Sequence, residues 1–260
     1  MCTLILLHRC VEGAPLIVAA NRDEYLDRPS APPALRRGPG FGFVAPEDLR
    51  AGGTWLGVNA AGVFAGLTNR PAASPDPGRR SRGLLVLDAL QAPDAESSAK
   101  RLEALPRGAY NPFNLVVADA GTAFAVSYEE VPRTGRLASG AHVIGNADPS
   151  ETSVPKIARL LGLAADASRL PAGEVLDALA KVCCEHDGRG GPLDDACIHT
   201  PRYGTRSSTL LQLAGPETSV LRFADGPPCR TAYDDFTPLL GALGHEVGPH
   251  SGEHQARTAP

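Results

Sequence analysis

The chain opens with short apolar runs punctuated by Gly and Pro, and helical periodicity appears only further along. Residues 2–8 and 15–21 read as two strands of a hairpin turning through Val11-Glu12-Gly13-Ala14. Residues 54–58 and 63–67 form a second pair around Asn59-Ala60-Ala61-Gly62. A loop rich in Pro, Ser and Arg spans 71–82, after which 83–91 and 94–105 predict helices, the second with Asp94 as N-cap. Residues 113–119, 123–129 and 142–145 return to the strand pattern. A short helix is predicted over 156–163, and Val175, Leu176, Leu179, Val182 and Cys183 mark one face of another at helical spacing. Residues 205–213 and 219–223 supply the last strands. Grouped strands with helices clustered between them predict a layered α+β sandwich rather than a doubly wound parallel fold. One domain over 1–246 and a disordered polar tail over 247–260 are expected.

Composition narrows the partners. Across 260 residues, 43% hydrophobic content supports a sizeable core, and a net charge of -4 advertises no basic face for nucleic acid. The absence of an 18-residue apolar run or a signal-peptide pattern points to a cytoplasmic protein without a transmembrane segment. Cys2, Cys10, Cys183, Cys184, Cys197 and Cys229 lack paired C-x-x-C spacing, so free thiols are expected. His8, His142, His186 and His199 are scattered, and His245, His250 and His254 sit in or near the polar tail, so no metal site is expected. Gly38-Pro39-Gly40-Phe41-Gly42 lacks the strand-turn-helix setting of a phosphate loop.

Met1-Cys2-Thr3 changes the picture. Removal of an initiator Met before a small residue would leave a cysteine carrying its own free amine. A thiol titrating near about 8.5 and an α-amine near about 7.7 to 8.0 make a self-contained nucleophile and base. Polar residues also gather at strand ends: Asn21-Arg22-Asp23-Glu24, Thr68-Asn69-Arg70, Gly145-Asn146 and Tyr203-Gly204-Thr205-Arg206-Ser207-Ser208-Thr209. Gly52-Gly53-Thr54-Trp55 sets the single Trp beside two glycines that would let a backbone approach a ligand closely.

Together with Leu67 and Asn111-Pro112-Phe113-Asn114-Leu115, these segments resemble the NRDE family, the transport and Golgi organisation 2 group, from Cys2 to about Phe236. The resemblance implies an N-terminal nucleophile hydrolase-like αββα fold of two stacked antiparallel sheets between helical layers. For relatives it implies either hydrolysis or handling of haem, acyl-CoA or lipid. A more distant similarity, to the cysteine amidases of the penicillin V acylase and bile salt hydrolase group, implies roles for individual residues. Cys2 would be the nucleophile, Asp23 would orient its amine, Asn69 and Asn146 would bond around the oxyanion or amine, and Arg206 would favour the thiolate. Those amidases carry an arginine just before their Asn-x-Asp, where this chain has Ala20. Strand alternation puts Asn21 and Asp23 on one face and Arg22 and Glu24 on the other. Asn21, Arg22, Glu24, Thr54, Trp55 and Arg70 are the candidate substrate contacts. The expected function is hydrolysis of an amide or thioester without a cofactor, acting on a small molecule. The alternative is a carrier for haem or acyl-CoA.

Overall fold

The computed structural model describes residues 2–188, 190–191, 193–215 and 217–245, so the expected tail over 247–260 lies outside the described residues. The chain opens with β1 (Thr3–Val11) and β2 (Ala14–Tyr25), joined through Gly13 at φ +74°. It continues through β3 (Ser30–Arg37), β4 (Gly42–Asp48), β5 (Leu56–Asn59) and β6 (Phe64–Asn69) to α1 (Arg82–Ala89) and α2 (Ala95–Glu103). Next come β7 (Phe113–Ala118), β8 (Ala123–Tyr128), β9 (Pro132–Arg136), β10 (Gly140–Ile144), α3 (Pro155–Ala167) and α4 (Ala172–Cys183). The last elements are β11 (Tyr203–Leu213), β12 (Val220–Ala224), β13 (Asp234–Asp235) and α5 (Thr237–His245).

These strands make two antiparallel sheets, a six-stranded one ordered β10-β1-β2-β11-β12-β13 and a seven-stranded one ordered β3 to β9 in sequence. They stack through Leu4, Leu6, Leu16, Val18, Phe64, Val116 and Phe223. The alternate residues of β1 and β2, Ile5, Leu7, Ile17 and Ala19, pack outward on Leu160 of α3 and Leu179 of α4. On the opposite outer face, Phe113, Leu115 and Val117 pack on Val86 of α1 and Leu102 of α2. The result is the expected α+β sandwich in αββα order. Its central strands read as unbroken apolar runs because both of their faces are buried.

Several elements escape the sequence pattern. Strand β3 contains Pro32-Pro33 and runs along a sheet edge with a register shift between Ala31 and Ala34, where missing N–H groups cost no ladder bonds. Strand β9 forms the other edge. The glycine-rich segment at 38–42 is the β3–β4 turn, closed by the Gly38 N–H donating to the Phe41 carbonyl at 3.1 Å. Helix α3 reaches Ala167, beyond the predicted end, and starts with Pro at its first turn. Among the described residues, no helix is long and apolar enough to cross a membrane.

Candidate active site

Strand β2 outlasts its apolar run, and this places charge inside the protein. Asn21, Arg22 and Asp23 are 2%, 5% and 2% exposed. The β1–β2 register pairs Thr3 with Asn21 and Leu4 with Ala20, which sets Cys2 against Arg22 at the end of the ladder. Cys2, Arg22, Asp23, Glu24, Thr54, Trp55 and Asn69 line one cleft of about 560 Å³ at the end of the sandwich.

The Cys2 thiol is buried and donates to the Asp23 backbone carbonyl at 3.9 Å. Burial pushes it above the ordinary thiol range, while the Arg22 charge pulls the other way. The Arg22 guanidinium lies 4.2 Å from the Trp55 ring centre, a cation–π contact. Among the described residues its Nη1 makes no hydrogen bond, and no carboxylate pairs with it within ion-pair distance. Behind β2, the Asp23 carboxylate accepts from the Thr205 hydroxyl at 2.7 Å. Burial pushes Asp23 up to about 6, opposed by the charge of Lys156, itself 8% exposed on α3. The Tyr203 hydroxyl donates to the Asp23 carbonyl at 2.8 Å, so Asp23 is fixed at both backbone and side chain.

The far wall is the start of α1. Adding a Cβ to Gly53 would bring it within 2.3 Å of the Gly83 carbonyl carbon, so this glycine permits backbone-to-backbone packing on α1. Thr54 donates its N–H to the Gly83 carbonyl at 3.1 Å and its hydroxyl to the Leu56 carbonyl at 2.8 Å. Arg82 opens α1, lines the cleft and donates to the Pro112 carbonyl at 2.8 Å. The Ser81 side chain makes no capping bond, and no acidic residue occupies the first turn. That end of the helix is therefore electropositive.

The structure separates the remaining expected residues from this cleft. Asn21 faces the helices and donates to the Cys183 and Ala196 carbonyls, both at 2.8 Å, so it braces the end of α4 instead of reaching a ligand. Arg70 is held outside by Glu129 at 2.8 Å and Asp148 at 3.4 Å. Asn146 donates to the Asn69 backbone carbonyl and acts behind the cleft wall. Arg206 falls at the register shift between Thr205 and Ser207, where the bulge takes it out of the β11 alternation and away from the lining. Arg22 is instead one of the cations near the Cys2 thiol, with Arg82 and Lys156.

Sequence reasoning also missed Arg82 and Lys156, which reach the site only through tertiary packing, and it singled out the segment holding Thr205 without giving that hydroxyl a role. A further correction concerns His186 and His199, read as scattered, whose rings lie 5.2 Å apart. His250 and His254 lie outside the described residues.

A family model described as Transport and Golgi organisation 2 matches residues 1–220. The mouse Transport and Golgi organization 2 homolog is 36% identical over 110 residues, 41% of this chain and 40% of its own length. That alignment thus spans well under half of the curated relative. Penicillin V acylase from Agrobacterium tumefaciens superposes with a TM-score of 0.60 at 16% identity, over 95% of this chain and 89% of its own. The Caenorhabditis elegans N-acylethanolamine-hydrolyzing acid amidase ortholog gives 0.56 at 11% identity, over 80% and 92%. At these identities the likeness establishes a shared fold.

Proposed function

This chain belongs to the Transport and Golgi organisation 2 family, and we propose that it is an N-terminal cysteine hydrolase of an amide or thioester bearing a carboxylate or phosphate. The observation that carries this reading is the lining of one cleft by Cys2, Asp23 and Asn69 together with Arg22 and Arg82, neither of which has an ion-pair partner among the described residues. Removal of Met1 frees the Cys2 amine beside the Asp23 carboxylate, which orients the neutral amine and stabilises the ammonium once it forms. The amine takes the thiol proton as Sγ attacks the substrate carbonyl. This base is needed because burial keeps the thiol protonated at neutral pH. The Asn69 side chain donates to the developing oxyanion, with Asn146 steadying its backbone. As the tetrahedral adduct collapses, the amine returns the proton to the leaving nitrogen or sulfur, leaving a Cys2 thioester. Water, deprotonated by the same amine, then releases the carboxylic acid and restores the thiol. Arg22 and Arg82 grip the anionic part of the substrate.

Intact-mass analysis before and after an electrophilic acyl probe tests this. Active protein should begin at Cys2, and the adduct should map to Cys2. Met1 retained on essentially all active material would sink the mechanism.

Six arginines against four carboxylates in the cleft lining also suit a carrier of an anionic ligand such as acyl-CoA or haem, with the Cys2 thiolate as a haem ligand. Protein verified to begin at Cys2 that binds such a ligand yet neither labels nor turns over any acyl donor would establish that reading instead. For the hydrolase, Arg82→Gln should raise KM for an anionic donor about tenfold or more, the scale of one charged hydrogen bond. For a matched neutral donor, KM should move less than about threefold. Equal effects on both donors would remove Arg82 from substrate recognition.

A further inference from the structure

A second cluster of reactive side chains lies behind the sandwich, on segments the proposed hydrolysis does not use. Cys197 and His199 are two residues apart, Cys197 in a bend and His199 in an isolated bridge to Gly204. Cys229 comes from the turn after β12, closed by the Arg230 N–H donating to the Pro227 carbonyl at 3.0 Å. The Cys197 and Cys229 sulfurs are 3.6 Å apart, and all six cysteines are free thiols. His199 Nε2 stands 3.5 Å from the Cys197 sulfur and 3.2 Å from the Cys229 sulfur. Bond lengths of about 2.3 Å to sulfur and about 2.0 Å to nitrogen give tetrahedral edges of about 3.8 Å between sulfurs and about 3.5 Å from sulfur to nitrogen. The three atoms thus span one face of a tetrahedron of that size.

His186 approaches His199 and Cys229, while Cys197 stands outside that trio and meets it through His199 and Cys229. Ligand atoms of His186, His199 and Cys229 all lie within 4.8 Å of one another. The His186 Nδ1 faces the Cys184 carbonyl at 2.6 Å and must donate to it, which leaves Nε2 as the acceptor. A ring nitrogen bonded to a carbonyl while the other is free to ligate is the usual outer-shell arrangement of a metal-binding His. His186 is exposed while Cys197 is buried, so the site has a solvent entry and a closed floor.

We propose that Cys197, His199, Cys229 and His186 bind one Zn²⁺ ion in a closed structural site. Two thiolates and two imidazoles in a tetrahedron suit Zn²⁺ over harder divalent ions. With four protein ligands no position is left for substrate. The ion pins the chain after α4 and the turn after β12 onto the segment entering β11. That segment is coupled to the cleft: the Ile198 N–H donates to the Thr205 hydroxyl at 2.8 Å, and the same hydroxyl donates to Asp23. Zn²⁺ therefore acts as a positioning element for Asp23, but its binding is measurable whether or not the hydrolase reading holds.

The test is metal analysis of the full chain purified under reducing conditions, followed by Co²⁺ substitution. Expected are one Zn²⁺ per chain and a Co²⁺ spectrum with intense tetrahedral bands and thiolate charge transfer. Cys197→Ser and Cys229→Ser, checked for folding by circular dichroism, should each weaken binding by about tenfold or more and diminish the charge transfer, and His186→Ala should weaken binding while keeping it. A weak octahedral Co²⁺ spectrum, or metal uptake indifferent to both cysteines, would overturn the site. So would wild-type protein that takes up no Zn²⁺ and forms a Cys197–Cys229 disulfide. Unchanged affinity in folded His186→Ala would overturn the four-ligand assignment.

Discussion

Cys2→Ser is expected to abolish covalent labelling by an acyl electrophile and to lower turnover by about 10³-fold or more, with the fold unchanged. Cys2 is 9% exposed at the start of β1, and its sulfur makes one hydrogen bond, to the Asp23 carbonyl, which a hydroxyl can also make. Packing therefore survives the exchange, whereas nucleophilicity does not. A Ser hydroxyl holds its proton far more tightly than a thiol, and in a pocket shaped around sulfur its shorter bond places the oxygen poorly for attack. Ligand affinity should be nearly unaltered, because Arg22 and Arg82 remain in place. The measurement is single-turnover kinetics with intact-mass detection, alongside ligand titration of both proteins. Retained turnover in Cys2→Ser would exclude the thiol from the chemistry. Loss of ligand binding together with a thiolate absorption band would mark Cys2 as a haem ligand.

How far the sequence made this site legible depended on whether a residue's role was local. Asp94 was readable as an N-cap, and its side chain accepts from the Ser97 N–H, because capping is decided within four residues. The buried strands were readable from their apolar runs. Strand β3 was not, since Pro32-Pro33 is tolerated only through its position at an edge, which is a property of the sheet. In the cleft, the ends of β1, β2 and β6 bring Cys2, Arg22, Asp23, Glu24 and Asn69 together, and the loop before β5 adds Thr54 and Trp55. Arg206 looked equivalent until a one-residue bulge redirected it. Lys156 carries no signal of its own: its first-turn position on α3 resembles a solvated lysine until the helix docks on β10 and β1 and brings its charge near Asp23. The Cys and His cluster escaped for a similar reason. Cys197-Ile198-His199 was a usable hint, but Cys229 joins it only after β11 and β12 have folded back.

Asp23→Asn is expected to make the Met1-bearing protein more stable at pH 7 while removing activity from the Cys2-first form. The Asp23 carboxyl is 2% exposed, and burial pushes it up to about 6 from an ordinary value of 3.8, against the pull of Lys156. Between those two values the folded state binds more protons than the unfolded one. Stability therefore falls as pH rises through that window, and the ionised carboxylate costs about 3 kcal/mol at pH 7. An amide keeps the oxygen that accepts from Thr205 and carries no charge to desolvate. Lys156 loses a favourable partner in exchange, so the net gain is about 1 to 3 kcal/mol at pH 7 and shrinks towards zero near pH 4. Urea unfolding of both proteins at the two pH values reads this directly, and Asp23→Asn equal to or less stable than the parent at pH 7 would contradict it. In the proposed mechanism the same carboxylate holds the ammonium of Cys2, and the amide cannot. Turnover should fall by about 10² to 10³-fold, the scale of a misplaced general base. Wild-type turnover should fall as pH drops through about 6 or below, since the nearby ammonium draws the Asp23 titration downward. A protein that gains stability and also keeps full turnover would show that Asp23 is a buried structural charge, leaving the amine to be oriented by another group.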